Sequence, residues 1–283
     1  MKIALLARTT SYSNQRIIDT AIKRGHSAEL IVYTECQPSS VNEKPDVIYH
    51  GRSLADFDAI IPRVMSGSPI DGVTTLKAFE AIGTFSTTSS NGIELSHDKA
   101  AASHKLQSAG VPIPQTLDLN NKDDLAFPFV IKALTGTQGD GVWLVKNMAE
   151  LDSLVGELKS LKRAFYAQEF IEESAGSDIR IFVIDGEVAG AIKRQAKEGE
   201  FRSNVYLGGN ADAIEATAKE EELAVKACDA MGLKIGGVDI LRSKRGPLVI
   251  EVNSSPGFKA LESATGIDVA AKIVEFVEHS FHG

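Results

Sequence analysis

The stretch that most restricts the fold of this chain lies near its C-terminal end, "GGVDILRSKRGPLVIEVNSSPG", residues 236–257. Two β-prone runs flank a polar turn from Ser243 to Pro247, a pattern that predicts an antiparallel hairpin. Each run carries an acid where a core residue would be expected, Asp239 in the first and Glu251 in the second. Strand alternation places Glu251 and Asn253 on one face. Pairing about Arg245 sets Asp239 opposite Glu251, with side chains roughly 5 Å apart. Like charges so placed repel unless a cation lies between them, so removing either charge is expected to leave the fold intact. Two carboxylates and an amide oxygen suit Mg²⁺ or Mn²⁺ held jointly with substrate phosphates. The plain alternative is a solvent-facing edge hairpin whose acids are simply hydrated.

The rest of the chain limits what such a hairpin can belong to. With 283 residues, 43% of them hydrophobic and 24% charged, it has the composition of a globular protein with a sizeable core. A net charge of −8 argues against a general nucleic-acid or membrane-surface partner. No apolar run approaches the roughly 20 residues of a membrane helix, and "MKIALLARTTSYS" is too short and too broken for a signal peptide. The cytoplasm is therefore the expected location. Cys36 and Cys228 lack metal-type spacing and read as reduced, structural thiols.

The first 90 or so residues alternate strands with helices, as in a parallel sheet covered by helices. Strands are predicted at Lys2–Ala7, "SAELIVY" and "DAIIPRV". Helices are predicted after Ser13, taken as a cap, and over "TTLKAFEAIG". No G-x-G-x-x-G follows the first strand. The Ser, Thr and Asn-rich stretch 84–97 reads as a domain boundary. Beyond a helix at about 98–109, strands dominate, and Asp185-Gly186 marks a tight hairpin. Further helices are expected at about 149–161, 217–231 and 266–280. The fold class is α/β followed by α+β.

Three more stretches carry chemistry. In "VIKALTGTQGDGVWLV", Lys132 precedes Gly136, Gly139 and Gly141. This is not a Walker A loop but a strand, glycine loop and strand that could close over phosphates, although glycine-rich hairpins are also common without function. "KRQAKEGEFRSN" gathers Lys193, Arg194, Lys197, Arg202 and Asn204, either a solvated face or a group that neutralises polyphosphate. "YAQEFIEE" reads as an ordinary amphipathic strand or as a backbone edge and carboxylate offered to an adenine by Gln168, Glu169, Phe170 and Ile171.

Together these blocks, with "QEFIEESAGSDIRIFVIDGEV", "GGVDIL", "GPLVIEVNSSPG" and "TGIDVAAKIVEF", resemble the ATP-grasp ligases, nearest to the RimK-type α-L-glutamate ligases. The resemblance implies a Rossmann-like pre-ATP-grasp domain at 1–92 and an ATP-grasp domain at 93–283. The latter would comprise a small nucleotide-clasping subdomain (112–172) and a C-terminal subdomain (173–283). It implies ATP and Mg²⁺ or Mn²⁺, as two ions. Lys99 and Lys132 would contact the phosphates beneath Gly136, Gly139 and Gly141, Glu169 and Phe170 the adenine, and Asp178 the ribose side. Arg202, Ser203 and Asn204 would also line the nucleotide. Arg194, Arg202 and Asn204 would serve catalysis near the transferring phosphate, Asp239, Glu251 and Asn253 would hold metal, and Arg63 would meet the acceptor carboxylate.

The implied activity is ADP-forming ligation of L-glutamate to a carboxylate acceptor. That acceptor would be a protein C-terminus, as on a ribosomal protein, a side-chain carboxylate, a peptide or a glutamate oligomer. A γ-glutamyl ligase for a small cofactor and a carrier-protein ligase of amino-acid biosynthesis are the alternatives. A non-catalytic ATP-binding regulator is the reading from another class, and a homo-oligomer is the expected assembly. Leu207 stands where ribosomal-protein modifying members are expected to have Arg, which bears on the acceptor rather than on catalysis.

Overall fold

The computed structural model describes residues 1–41, 44–64, 69–121, 125–134, 141–197, 199–202 and 209–282. At the N-terminal end β1 (Lys2–Ala7) pairs in parallel with β2 (Ser27–Val32) and β6 (Ala59–Arg63). Strand β7 (Phe85–Ser86) completes a four-stranded layer in the order β2-β1-β6-β7. This is the expected Rossmann-like sheet. Helix α1 (Tyr12–Lys23) is capped by Ser11, whose hydroxyl accepts from the Asn14 N–H, and not by Ser13. Ser13 sits inside the first turn, buried, and accepts from the Phe258 N–H at 3.1 Å.

Two features of this half were not predicted. An antiparallel sheet, β3 (Cys36–Val41), β4 (Lys44–Tyr49) and β5 (Arg52–Ser53), is inserted between β2 and β6. The polar stretch 84–97 is structured, as β7 followed by α3 (Ser90–His97), because Ser89 supplies the N-cap that its sequence allows. Helix α2 spans Pro69–Ile82, and α4 spans Lys99–Ser108 with Asp98 accepting from two N–H groups of its first turn.

Every strand pair in the remaining two sheets is antiparallel. The smaller has the order β10-β9-β11-β8, from β8 (Thr116–Leu117), β9 (Phe129–Ala133), β10 (Val142–Val145) and β11 (Phe165–Glu169), with α5 (Met148–Ser160) packed on it. The larger has the order β14-β13-β12-β15-β16, from β12 (Ser177–Ile184), β13 (Glu187–Gln195), β14 (Asn210–Ala213), β15 (Ile235–Ser243) and β16 (Gly246–Asn253). Asp185 and Gly186 both have positive φ, as a type I′ turn requires. Helix α6 (Ala218–Met231) starts at a Thr217/Glu220 capping box. The single helix expected at 266–280 is two, α7 (Lys259–Thr265) and α8 (Val269–His282), separated at left-handed Gly266.

The β15–β16 hairpin turns one residue earlier than expected, with Ser243 opposite Gly246 and Ile240 opposite Val249. A register shift at Ile250 then restores Asp239 opposite Glu251 and Gly237 opposite Asn253. The extra residue has a packing reason. Val249 and Val252, three apart, both join the core beneath α6, while Glu251 and Asn253 turn to the other face. Gly236 and Gly237 permit close approach on the two sides: a Cβ would lie 2.4 Å from Cys228 Sγ at the first and 2.6 Å from Pro256 Cβ at the second.

The second face of the larger sheet is divided. Phe182, Ile184, Ile192 and Ile235 pack with Phe258, α7 and α8 in a core that also includes Ile3, Leu5, Ile17 and Ile61 of the N-terminal layer. Phe258 is fully buried and meets Tyr12 and Phe182 edge-on at centroid distances of 6.4 and 6.1 Å. Phe258→Ala should therefore cost about 3–5 kcal/mol, read as a lowered urea midpoint at unchanged slope.

Candidate active site

The remaining half of that divided face is charged. Asp178 and Arg180 alternate along β12, Arg194 pairs with Asp178 across β13, and Asp239 pairs with Arg180 across β15. Strand geometry thus projects all four side chains to one side. Arg180 is bidentate on Asp239, Nε to Oδ1 and Nη2 to Oδ2, both at 2.7 Å. Arg194 donates from Nη2 to Asp239 Oδ2 at 2.8 Å and grips Asp178 with both Nε and Nη2. Asp178, Arg194 and Asp239 are buried, at 4%, 7% and 3% exposure. Burial by itself would raise the Asp239 pKa, but the charges and hydrogen bonds of the two arginines outweigh it and hold the carboxyl below its ordinary value.

This ladder corrects one expectation. Asp239 is not left to repel Glu251, because guanidinium groups neutralise it from within the sheet. Glu251 itself is exposed. Removing the Asp239 charge would leave two arginines undercompensated, so the fold is not indifferent to it.

Across from the hairpin lies the smaller sheet. Lys132 in β9 is half-buried, and loss of water lowers its pKa to about 8, with Lys99 acting in the same direction and Glu251 opposing. Tyr166, opposite Lys132 in β11, is pushed up to about 12, chiefly by burial and further by Glu251. Lys99 Nζ, at the start of α4, donates to the Ala133 carbonyl at 3.3 Å. Glu251 is therefore electrostatically coupled to Lys132, and Lys99 stands beside the Lys132 strand.

The other expected residues form a second group. Glu169 Oε1 accepts from the Gln115 N–H at 2.7 Å and from Arg245, so its carboxylate ties β11 to the segment before β8 and to the hairpin turn. Phe170 packs edge-on against Phe201 at 6.3 Å. Arg202 grips Glu200 through Nε and Nη2 at 2.9 and 2.7 Å and lies over the Phe201 ring. The Glu200 pKa is consequently held at about 2. Gly141 has a positive φ and closes the β9–β10 connection, its carbonyl accepting from Ala133 N–H at 2.8 Å. Gly136, Gly139, Ser203, Asn204 and Leu207 lie outside the described residues. Arg63 is buried at the end of β6 and donates to Asn14 Oδ1 at 3.2 Å and to the Pro256 carbonyl at 2.9 Å. It thereby fastens the loop that follows Asn253.

Among the described residues, no group of three or more His, Cys, Asp or Glu side chains is arranged to hold a metal ion. The donor set at the hairpin is instead two carboxylates, Asp239 and Glu251, and the Asn253 amide, whose Oδ1 accepts from the Ser255 N–H at 2.9 Å. Hard oxygen donors of this kind fit Mg²⁺ or Mn²⁺, and Asp239 already draws positive charge from three hydrogen-bond donors. Arg180 and Arg245 were not singled out from sequence. The first left a readable signal: a cation two residues from Asp178, on the same strand face.

Residues 1–93 match the RimK PreATP-grasp domain and residues 98–277 the RimK-like ATP-grasp domain. The chain belongs to the RimK-like ATP-grasp family. Among its relatives, the probable alpha-L-glutamate ligase of Halorhodospira halophila is 43% identical over 289 residues, covering 99% of this chain and 96% of that protein. That of Aliivibrio fischeri is 43% identical over 287 residues, covering 98% and 95%. In fold, the chain is similar to a RimK domain ATP-grasp protein of Sphaerobacter thermophilus, with a TM-score of 0.75, 23% identity and coverage of 98% and 99%. It is also similar to the D-alanine–D-alanine ligase of Bacillus anthracis in complex with ATP, with a TM-score of 0.68, 18% identity and coverage of 100% and 97%. No helix among the described residues is long and apolar enough to cross a membrane.

The Lys132 shift has a sign that can be worked out. Between pH about 8 and 10.5 the unfolded chain binds more protons at this lysine, so its contribution to stability rises with pH across that window. Phosphate placed beside it favours the ammonium form. Nucleotide binding should therefore take up a proton fraction that grows as pH rises through 8. Calorimetry in buffers of different ionisation enthalpy should register this uptake, and Lys132→Met should abolish it.

Proposed function

We propose that the protein is an ATP-dependent, ADP-forming ligase that joins the amino group of L-glutamate to a carboxylate acceptor. The observation that carries this reading is a pairing of opposites: Lys132, which Lys99 neighbours, stands within electrostatic reach of Glu251 on the acid hairpin. Cations on one sheet and oxygen donors on the other are what a metal-bound polyphosphate needs. Family membership and the glutamate ligases among the relatives supply the reaction class.

A carboxylate is a poor acylating agent. The acceptor oxygen therefore attacks the γ-phosphorus of ATP, the bond to the ADP oxygen breaks, and an acylphosphate forms. The glutamate amine then attacks the acyl carbon, phosphate departs with its electron pair, and the amine gives up a proton as the amide forms. Lys132 and Lys99 hold the phosphates, and Arg194 and Arg202 meet the charge that develops on the transferring group. Asn204 and Ser203 belong to the same loop of the proposal, as do Gly136, Gly139 and Gly141 to the phosphate flap. Glu169, Phe170 and Asp178 would face the nucleoside. Asp239, Glu251 and Asn253 would hold Mg²⁺ or Mn²⁺, which supplies electrostatic stabilisation of the phosphate oxygens. No protein nucleophile is required.

The acceptor is proposed to be a protein or peptide C-terminus or a glutamate oligomer. Arg63 of the N-terminal layer, which donates to the Pro256 carbonyl in the loop after Asn253, would meet the acceptor carboxylate. The proposed division of labour gives residues 1–92 to the acceptor and 93–283 to the nucleotide.

Two variants separate chemistry from stability. Glu251→Gln should abolish glutamate-dependent ADP release while changing stability by no more than about 0.5 kcal/mol, as for an exposed residue. Asp239→Asn should abolish the same release and also cost about 3–5 kcal/mol, because it breaks a buried ion network. Mass spectrometry of the wild type with ATP, Mg²⁺, glutamate and a panel of acceptors should show gains of one or more glutamyl units. ADP release independent of glutamate, with a phosphorylated acceptor persisting, would instead mark a kinase.

A further inference from the structure

Nothing in the proposed reaction gives Arg180 a part, yet it makes the most direct grip on Asp239. We infer that Arg180 is a positioning residue that bars free divalent cations from the hairpin and admits metal only together with nucleotide. This inference rests on Asp239 being a metal ligand.

The reasoning is one of charge and valence. The ladder of Asp178, Arg194, Asp239 and Arg180 sums to zero, two carboxylates against two guanidiniums. Both oxygens of Asp239 are engaged, Oδ1 by Arg180 and Oδ2 by Arg180 and Arg194 together. A carboxylate offers about four acceptor positions, and three are taken. A bare divalent ion would sit against two fixed guanidinium groups in a buried, weakly screened place, with only Glu251 and the Asn253 amide to compensate. A nucleotide polyphosphate changes the balance, since its negative charge offsets the ion and gives the displaced guanidinium groups new oxygen partners.

Arg180 fits this role better than Arg194. Arg194 is shared with Asp178, which holds it whether or not Asp239 is available. Among the described residues Arg180 pairs with no other carboxylate, and it reaches Asp239 in the planar, two-point geometry that a lysine cannot reproduce. Its side chain is 17% exposed against 4% for Asp239, so it is the more accessible of the pair.

The test titrates Mn²⁺ alone, followed by the electron paramagnetic resonance of the free ion, into the wild type, Arg180→Gln and Arg180→Lys. It repeats the titration with a non-hydrolysable ATP analogue. The wild type should bind Mn²⁺ alone at least tenfold more weakly than the glutamine variant, the lysine variant, which keeps the charge but not the two-point grip, should fall between them, and the wild type should fill the site when the analogue is added. A structural defect would weaken binding, whereas this role predicts a gain. Equal affinity of wild type and Arg180→Gln for free Mn²⁺, within threefold, would overturn the inference. So would a wild type that binds Mn²⁺ equally well without the analogue, an outcome that decides the matter even if the glutamine variant does not fold. An Asp239→Asn protein that still binds Mn²⁺ with the analogue as the wild type does would overturn the metal-site reading itself.

Discussion

Charge buried in a sheet must find its opposite within the sheet, and much of the arrangement described above follows from that requirement. Asp178, Arg180, Arg194 and Asp239 come from three neighbouring strands, and their mutual contacts are possible only in the observed registers of β12 with β13 and β15. A slip of one residue would turn each acid into the apolar layer under α6, where no cation could meet it. The ladder therefore opposes alternative pairings of the central strands, while the apolar half of the same face binds them to the N-terminal layer through Phe258 and α8.

The extra residue at Ile250 serves both faces of the edge strand. It keeps Val249 and Val252 in the core and still delivers Glu251 and Asn253 to the cleft. Behind them, the loop Ser254–Pro256 is held from the N-terminal layer: Ser96 donates to Ser254 Oγ, Arg63 donates to the Pro256 carbonyl, and Ser13 accepts from Phe258. The proposed metal donors are thus positioned by residues remote in sequence, and the N-terminal layer takes part in shaping the site as well as bordering it. The opposite wall is simpler. Lys132 owes its altered proton affinity to the water it loses in β9, an effect of packing that no pattern of neighbouring residues discloses.

Local rules carried the sequence reading a long way. Alternating strands and helices, the Asp-Gly turn, the helices starting at about 98 and 217 and the facing positions of Asp239 and Glu251 all follow from short-range geometry. The failures are equally physical. Ser13 resembles Ser11 as a cap, and only the approach of Phe258 assigns it to the core. The polar stretch 84–97, expected as a domain boundary, also carries a helix that was not predicted, because Ser89 caps it. The hairpin pairing was correct at Asp239 although the turn was misplaced, because the register shift at Ile250 compensates.

By itself, then, the sequence determined the two fold classes, the order of most elements and the presence of oxygen donors and cations in separate blocks, since these depend on periodicity and on residues close together in the chain. Tertiary structure decided which charges meet. Arg180 and Asp239 are 59 residues apart, Arg194 and Asp239 are 45 apart, and Arg63 and Pro256 are 193 apart. Contacts over such separations are set by sheet order and register, so the neutralised state of Asp239 became visible only once the strands were assembled.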